Sequence, residues 1–155
     1  MKFNTLLKTA TLAVTLAVSQ LSFAGVDTET DANDVILSGY DAVSYFAVNK
    51  AVEGSKEFTA VHKGAIYQFS SAANRDTFKA NPNKYEPAYG GYCAYGSVFG
   101  KKFEVNGKAF EIVDGKLYVN KNENVYIAWS EDVPTNITKA DVNWKEIADK
   151  APSEL

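Results

Sequence analysis

One cysteine and one histidine are the residues of this chain best suited to hold a metal ion. Cys93 is the only cysteine among the 155 residues, and His62 is the only histidine. A thiolate is a soft ligand that favours Cu(I) over Mg²⁺ or Ca²⁺, and imidazole is a common companion ligand. The two residues therefore predict a transition-metal site, with copper favoured over zinc, in which Cys93 is the principal ligand and His62 the second.

The same residue counts limit the kinds of metal site that one chain can build. A structural zinc site takes four ligands, so one cysteine and one histidine leave two positions unfilled. Met1 is the only methionine and there is a single histidine, so the ligand set of a blue-copper site is absent. A second copy of the chain could supply a second Cys93. The expected partners are therefore a metal ion, a periplasmic partner protein or another copy of the chain.

Cys93 lies in a stretch that favours a second hypothesis. Residues 81–100 contain four tyrosines and four glycines and show neither helical nor strand periodicity. Tyrosine rings can line a pocket and still offer a hydroxyl group, so the alternative function is a non-catalytic module that binds a small molecule or a protein, with Cys93 only packed. Asp41 is either the acid of that pocket or a turn cap. The candidate pocket or structural residues are Tyr40, Asp41, Tyr45, Tyr89, Tyr92 and Tyr95.

Catalytic motifs are missing from the sequence, so no enzyme is predicted. No serine lies in a Gly-x-Ser-x-Gly elbow, and a single histidine leaves no complete nucleophile, base and orienting group. The chain also lacks a Cys-x-x-Cys pair. A thiol enzyme or redox sensor that uses Cys93 alone is the third hypothesis. Nucleic acid is not expected as a partner, because the net charge is −3 and no basic run occurs.

The elements that must position these residues form two similar units. Residues 58–61 and 65–69 predict a hairpin that turns at 62–64, followed by a helix that Ser71 caps, Phe78 anchors and Pro82 ends. Residues 110–113 and 116–119 predict a second hairpin around Asp114-Gly115, followed by a helix capped by Asn120 or Asn122. A final amphipathic helix is predicted within residues 135–149. The fold class is therefore α+β, a small single domain of two hairpin-plus-helix units.

The first residues of the chain have the composition of an export signal. Lys2 and Lys8 precede the uncharged, mostly apolar stretch 9–18, and Ser22-Phe23-Ala24 provides small residues for cleavage after Ala24. We therefore predict a signal peptide at 1–24, a flexible acidic segment at 25–36 and a domain at 37–150. The expected location is the periplasm, with no membrane association after cleavage.

Six short motifs resemble those of exported bacterial YHS domain-containing proteins. They are GYDAVSYF at 39–46, GAIYQFSS at 64–71, NRDTF at 74–78, NPNKY at 81–85, YGGYCA at 89–94 and VDGKLY at 113–118. The resemblance spans roughly residues 37–150. It implies a relationship to small treble-clef-like modules and a capacity to bind heavy metals, although many of those relatives carry several cysteines and this chain carries one.

Overall fold

Two antiparallel hairpins organise the chain, as the turn residues predict. A computed structural model describes residues 26–155, and the predicted export signal lies outside them. Helix α1 (Ala42–Val48) precedes the first hairpin, in which β1 (Ser55–His62) pairs with β2 (Ala65–Phe69). Lys63 and Gly64 have φ values of 50° and 80°, the conformation of a two-residue type I′ turn. His62 therefore ends strand β1 and does not belong to the turn.

Helix α2 (Ala72–Ala80) completes the first unit. The Ser71 hydroxyl accepts a hydrogen bond from the Asn74 N–H at 3.1 Å, which satisfies one of the free amides at the start of the helix. Phe78 turns inward and is 1% exposed. The helix ends at Ala80, two residues before Pro82, so both predicted ends of α2 are confirmed.

The second unit repeats this plan. Strands β3 (Asn106–Val113) and β4 (Lys116–Asn120) turn at Asp114 and Gly115, whose φ values are 49° and 74°. Helix α5 (Glu123–Ser130) begins at Asn122, whose side chain accepts the Val125 N–H at 3.0 Å. Of the two predicted caps, Asn122 is therefore the one used. Helix α6 (Val133–Ile147) follows and corresponds to the predicted amphipathic helix.

Short helical turns fill the segment 81–100, which explains its lack of periodicity. Helix α3 (Pro82–Tyr85), a 3-10 turn (Ala88–Gly91) and helix α4 (Ala94–Val98) are each too short to display a repeating apolar face. The rings of Phe46 and Tyr85 meet edge to face with centroids 5.4 Å apart, which confirms that this segment packs on the aromatic stretch around α1. Two further 3-10 turns lie at Leu37–Gly39 and Pro152–Glu154.

Part of the segment predicted to be flexible is packed in the structure. Val35 forms a parallel bridge with Ile66, and Ile36 is 1% exposed. The Glu29 N–H donates to the Gly90 carbonyl at 2.9 Å. Packing thus begins before residue 37, where the sequence predicts the start of the domain, because the acidic composition of the segment masks its two core residues.

Two apolar clusters hold these elements together and confirm the α+β class. One joins α1, both hairpins, α2 and α3, with Tyr45, Phe69 and Leu117 among its fully buried members. The other joins α4, α5, α6 and β4 around Trp129 and Ala140. Among residues 26–155, none of the helices combines the length and the hydropathy that crossing a bilayer requires.

Candidate functional site

A groove of about 440 Å³ lies beside the 3-10 turn that contains Tyr89. Both hairpin turns contribute to its lining, through Lys63 and through Asp114, Gly115 and Lys116. Helix α6 and the segment before residue 30 form other parts of the wall. Three aromatic side chains also line it, the buried Tyr67 and Tyr89 and the partly exposed Trp144. The groove thus collects residues from five separate parts of the chain.

Tyr89 is held in this groove in an unusual conformation. Its φ is 53°, in the left-handed region that non-glycine residues seldom occupy, and its side chain is buried. The hydroxyl donates to Asp141 Oδ1 at 2.9 Å, and the ring lies 5.8 Å from the Trp144 ring. Burial and the Asp141 charge raise the pKa of Tyr89 far above its usual range, so the phenol stays neutral. Such backbone strain is concentrated at functional sites in proteins.

Charges of both signs surround the groove. The Glu86 carboxylate contacts His62 and Lys63, and the Asp141 carboxylate accepts a hydrogen bond from the Tyr89 hydroxyl. Within residues 26–155, four other lining residues form no ion pair, so their charges are available to a ligand. They are Asp27, Lys84, Asp114 and Lys116.

His62 lies near the groove without lining it. Its Nε2 is 2.8 Å from Glu86 Oε2, and its ring packs 6.0 Å from that of Phe78. Glu86 also accepts a hydrogen bond from Lys63 at 3.0 Å. The imidazole therefore positions Glu86 at the end of the first hairpin.

Cys93 is a buried thiol at the start of α4. It is 1% exposed, and its Sγ accepts the Gly96 N–H at 3.4 Å. The thiol also donates to Asn120 Oδ1 at 3.6 Å. Burial raises the pKa of Cys93, although nearby backbone N–H groups oppose this effect. The structure therefore contains a protonated, packed thiol.

The two residues predicted to share a metal lie in different surroundings. His62 contacts Glu86, Tyr67 and Phe78, whereas Cys93 contacts Gly96 and Asn120, so no contacting residue is common to both. Across residues 26–155, no group of three or more histidine, cysteine, aspartate or glutamate side chains is arranged to hold a metal ion.

Asp41 caps helix α1, which is one of the two roles considered from the sequence. It is fully buried, and its Oδ1 accepts the N–H groups of Val43 and Ser44 at 2.9 and 3.2 Å. Its Oδ2 accepts the Ser70 N–H, the Ser70 hydroxyl and the Asn74 amide at 2.7–2.9 Å. Burial disfavours the ionised form of the Asp41 carboxyl, but these hydrogen-bond donors outweigh that effect and lower the pKa of Asp41.

Of the five other predicted pocket or structural residues, only Tyr89 lines the groove. Tyr45 and Tyr92 each donate a hydrogen bond to a backbone carbonyl, at Gly107 and Val26 respectively. Tyr95 packs edge to face on Phe99 with centroids 5.1 Å apart, and Tyr40 forms a backbone bridge with Glu53. These tyrosines serve packing and hydrogen bonding in the fold.

Lys102 is an important residue that the sequence analysis missed. It is 4% exposed, and its Nζ donates to the carbonyls of Val26, Ala148 and Lys150, each at 2.7 Å. The ammonium also lies 5.0 Å from the Trp144 ring. No sequence motif marks Lys102, because its partners are backbone atoms far along the chain.

Comparisons of the chain with protein-family models, with curated proteins and with solved structures find no match.

Proposed function

We propose that this domain is a non-catalytic binding module of the periplasm that holds a small charged organic molecule in the groove at Tyr89. The observation that carries the proposal is the left-handed Tyr89, which is hydrogen-bonded to Asp141 and packed at a tilt against Trp144 inside a groove of ligand size. Ligand sites are commonly preformed, aromatic and supplied with a few oriented polar groups.

The groove also supports a statement about the chemistry of the ligand. Trp144, the partly exposed one of the three rings that line the groove, favours a flat apolar part, since aromatic faces stack on such groups. Asp114 and Lys116 come from one hairpin turn and carry opposite charges without an ion pair in the described chain. We therefore expect an aromatic or alicyclic molecule with at least one charged group.

The surroundings of Cys93 and His62 support a binding function over a catalytic one. Reactive cysteines are partly exposed and have a lowered pKa, whereas Cys93 is buried and its pKa is raised. His62 is hydrogen-bonded to Glu86. Among the described residues, these contacts leave no thiol and imidazole side by side.

A ligand screen followed by NMR mapping tests the binding proposal. Charged aromatic compounds should shift the resonances of Tyr89 and Trp144, and Lys116→Glu should weaken the binding of an anionic hit by about 10-fold. Lys139→Glu is the matched control, because Lys139 is exposed on α6 and does not line the groove. Shifts located elsewhere, or equal effects of both variants, would contradict the proposal.

Metal handling through Cys93 is the second candidate, supported by the resemblance to YHS domains. One contact favours it, since the Gly96 N–H directed at Sγ would stabilise a thiolate. Titration of the purified protein with Cu(I), Zn(II) and Ni(II) tests it. Binding tighter than about 1 μM that is lost in Cys93→Ser supports this candidate, and equal binding by both proteins excludes Cys93 as the ligand. The variant His62→Gln separately tests the second ligand.

A further inference from the structure

The strap, which we define as residues 26–30, forms one wall of the groove. Its Glu29 N–H donates to the Gly90 carbonyl at 2.9 Å. The Val26 carbonyl accepts hydrogen bonds from Lys102 Nζ at 2.7 Å and from the Tyr92 hydroxyl at 3.2 Å. Asp27 and Thr28 line the groove directly. The strap is therefore held at both of its ends against the residues that shape the groove.

Close packing underneath the strap requires a glycine. Gly90 has a φ of 59°, and a Cβ atom at this position would collide with the Asp27 carbonyl oxygen. Only a residue without a side chain permits this approach. The strap is thus fitted closely to the turn beside Tyr89, and its departure would uncover that turn.

The side chain of Glu29 would oppose docking of the strap if it were ionised. Its side chain is 9% exposed, and among residues 26–155 its carboxyl has no hydrogen-bond donor. The charged groups that act on it are Asp31, from its own segment, and Glu104, from the loop before β3. Tyr92 faces it from the turn beneath, and the phenol stays neutral because burial raises its pKa.

Both acidic neighbours of Glu29 stay ionised at neutral pH. Burial opposes the charge of Asp31, but hydrogen bonds from Val35 and Asn33 together with the charge of Lys56 outweigh this effect and lower the pKa of Asp31. A backbone N–H and Lys121 lower the pKa of Glu104. Lys121 forms an ion pair with Glu104 at 3.1 Å. Lys102 donates its hydrogen bonds to three backbone carbonyls. An ionised Glu29 would therefore be buried beside two negative charges.

We propose that the strap is a pH-sensitive gate: it closes the groove wall while Glu29 is protonated and is released when Glu29 ionises. This inference concerns the strap itself and goes beyond the proposed binding function. Only its effect on a ligand depends on that function.

The direction of the pH effect follows from the environment of Glu29. Burial, together with Asp31 and Glu104, raises the pKa of Glu29 from 4.5 to about 7 in the docked strap. Below pH 4.5 both states are protonated, so docking is strongest there. Between pH 4.5 and 7 the released strap loses its proton first, so docking weakens by up to about 300-fold and then stays constant at higher pH.

Amide hydrogen exchange across this pH range tests the gate without any ligand. The protection factor of the Glu29 amide, corrected for the intrinsic pH dependence of exchange, should fall by about 150-fold between pH 4.5 and 8. The Tyr67 amide in the buried strand β2 serves as the internal reference and should change little. A constant protection factor at Glu29 would overturn the proposal.

Two variants separate Glu29 from other titrating groups. Glu29→Gln removes the ionisation, so its strap should remain protected at pH 8. Glu104→Gln, at an exposed position, removes one repelling charge and should reduce the fall in protection without removing it. If Glu29→Gln retains the full pH dependence, another group controls the strap and the proposal fails. A pH-dependent strap with no ligand for the groove would instead contradict only the proposed function.

Discussion

Helices α1 and α4 both begin at a buried side chain, but the surroundings of these two side chains differ. Asp41 accepts five hydrogen bonds, so its corner of the fold is a closed polar network. Around Cys93 the contacts are long, and the neighbouring Asn120 Nδ2 is buried without a partner among the described residues. The Trp129 Nε1 is likewise buried without a hydrogen-bond partner among the described residues. A fully paired network of buried hydrogen bonds holds its side chains in one arrangement. Buried donors without partners do not constrain the side chains around Cys93 in this way.

The largest expected effect comes from opening the Asp41 network. Asp41→Ala leaves the Ser70 and Asn74 donors and two helix amides without their acceptor, and we expect a loss of about 4 kcal/mol in the free energy of unfolding. Urea unfolding at pH 7 measures it. Ser70→Ala is the control and should cost about 1 kcal/mol, because only one hydroxyl donor is removed. A loss in Ser70→Ala as large as that in Asp41→Ala would contradict the central role of the Asp41 carboxylate in the network.

A smaller effect is expected at Cys93. Cys93→Ala should lower the free energy of unfolding by about 1–2 kcal/mol, because the small cavity and the weak thiol contacts are the only losses. The native thiol should react with iodoacetamide at least about 100-fold more slowly than in urea, since burial blocks access. Rapid alkylation of the native protein would refute the packing role and favour a thiol-dependent function.

The smallest effects test whether the two hairpin-plus-helix units are equivalent outside these corners. Ser71→Ala and Asn122→Ala each remove one side-chain cap, and each should cost about 1 kcal/mol of unfolding free energy. Thermal unfolding of the two variants side by side provides the comparison. A difference above about 1 kcal/mol would show that one unit depends more on its cap than the other.

Local signals in the sequence predicted most of the fold. The turns at Lys63-Gly64 and Asp114-Gly115, the caps Ser71 and Asn122 and the inward Phe78 all depend on neighbouring residues. The 3-10 and helical turns of 81–100 were missed because one turn of helix produces no periodicity. Val35 and Ile36 were assigned to an acidic segment because their burial depends on distant strands.

The candidate site was harder to predict, since its parts meet only in three dimensions. The groove combines Asp27, Lys63, Tyr89, Asp114 and Trp144, which are distant in the chain. Residue type drew attention to Cys93 and His62, yet burial and separate partners determine what these side chains can do. Glu29 belongs to the segment predicted to be flexible and acidic, whereas the fold buries its side chain.

The Lys102 ammonium also has a mechanical consequence. It binds the Val26 and Lys150 carbonyls at 2.7 Å each, so these two oxygens lie no more than twice that distance apart. Residues 26 and 150 are therefore held together at one corner of the described domain. A force that pulls them apart loads the ammonium and its three carbonyls first, and the two hairpins bear tension only after that corner has opened.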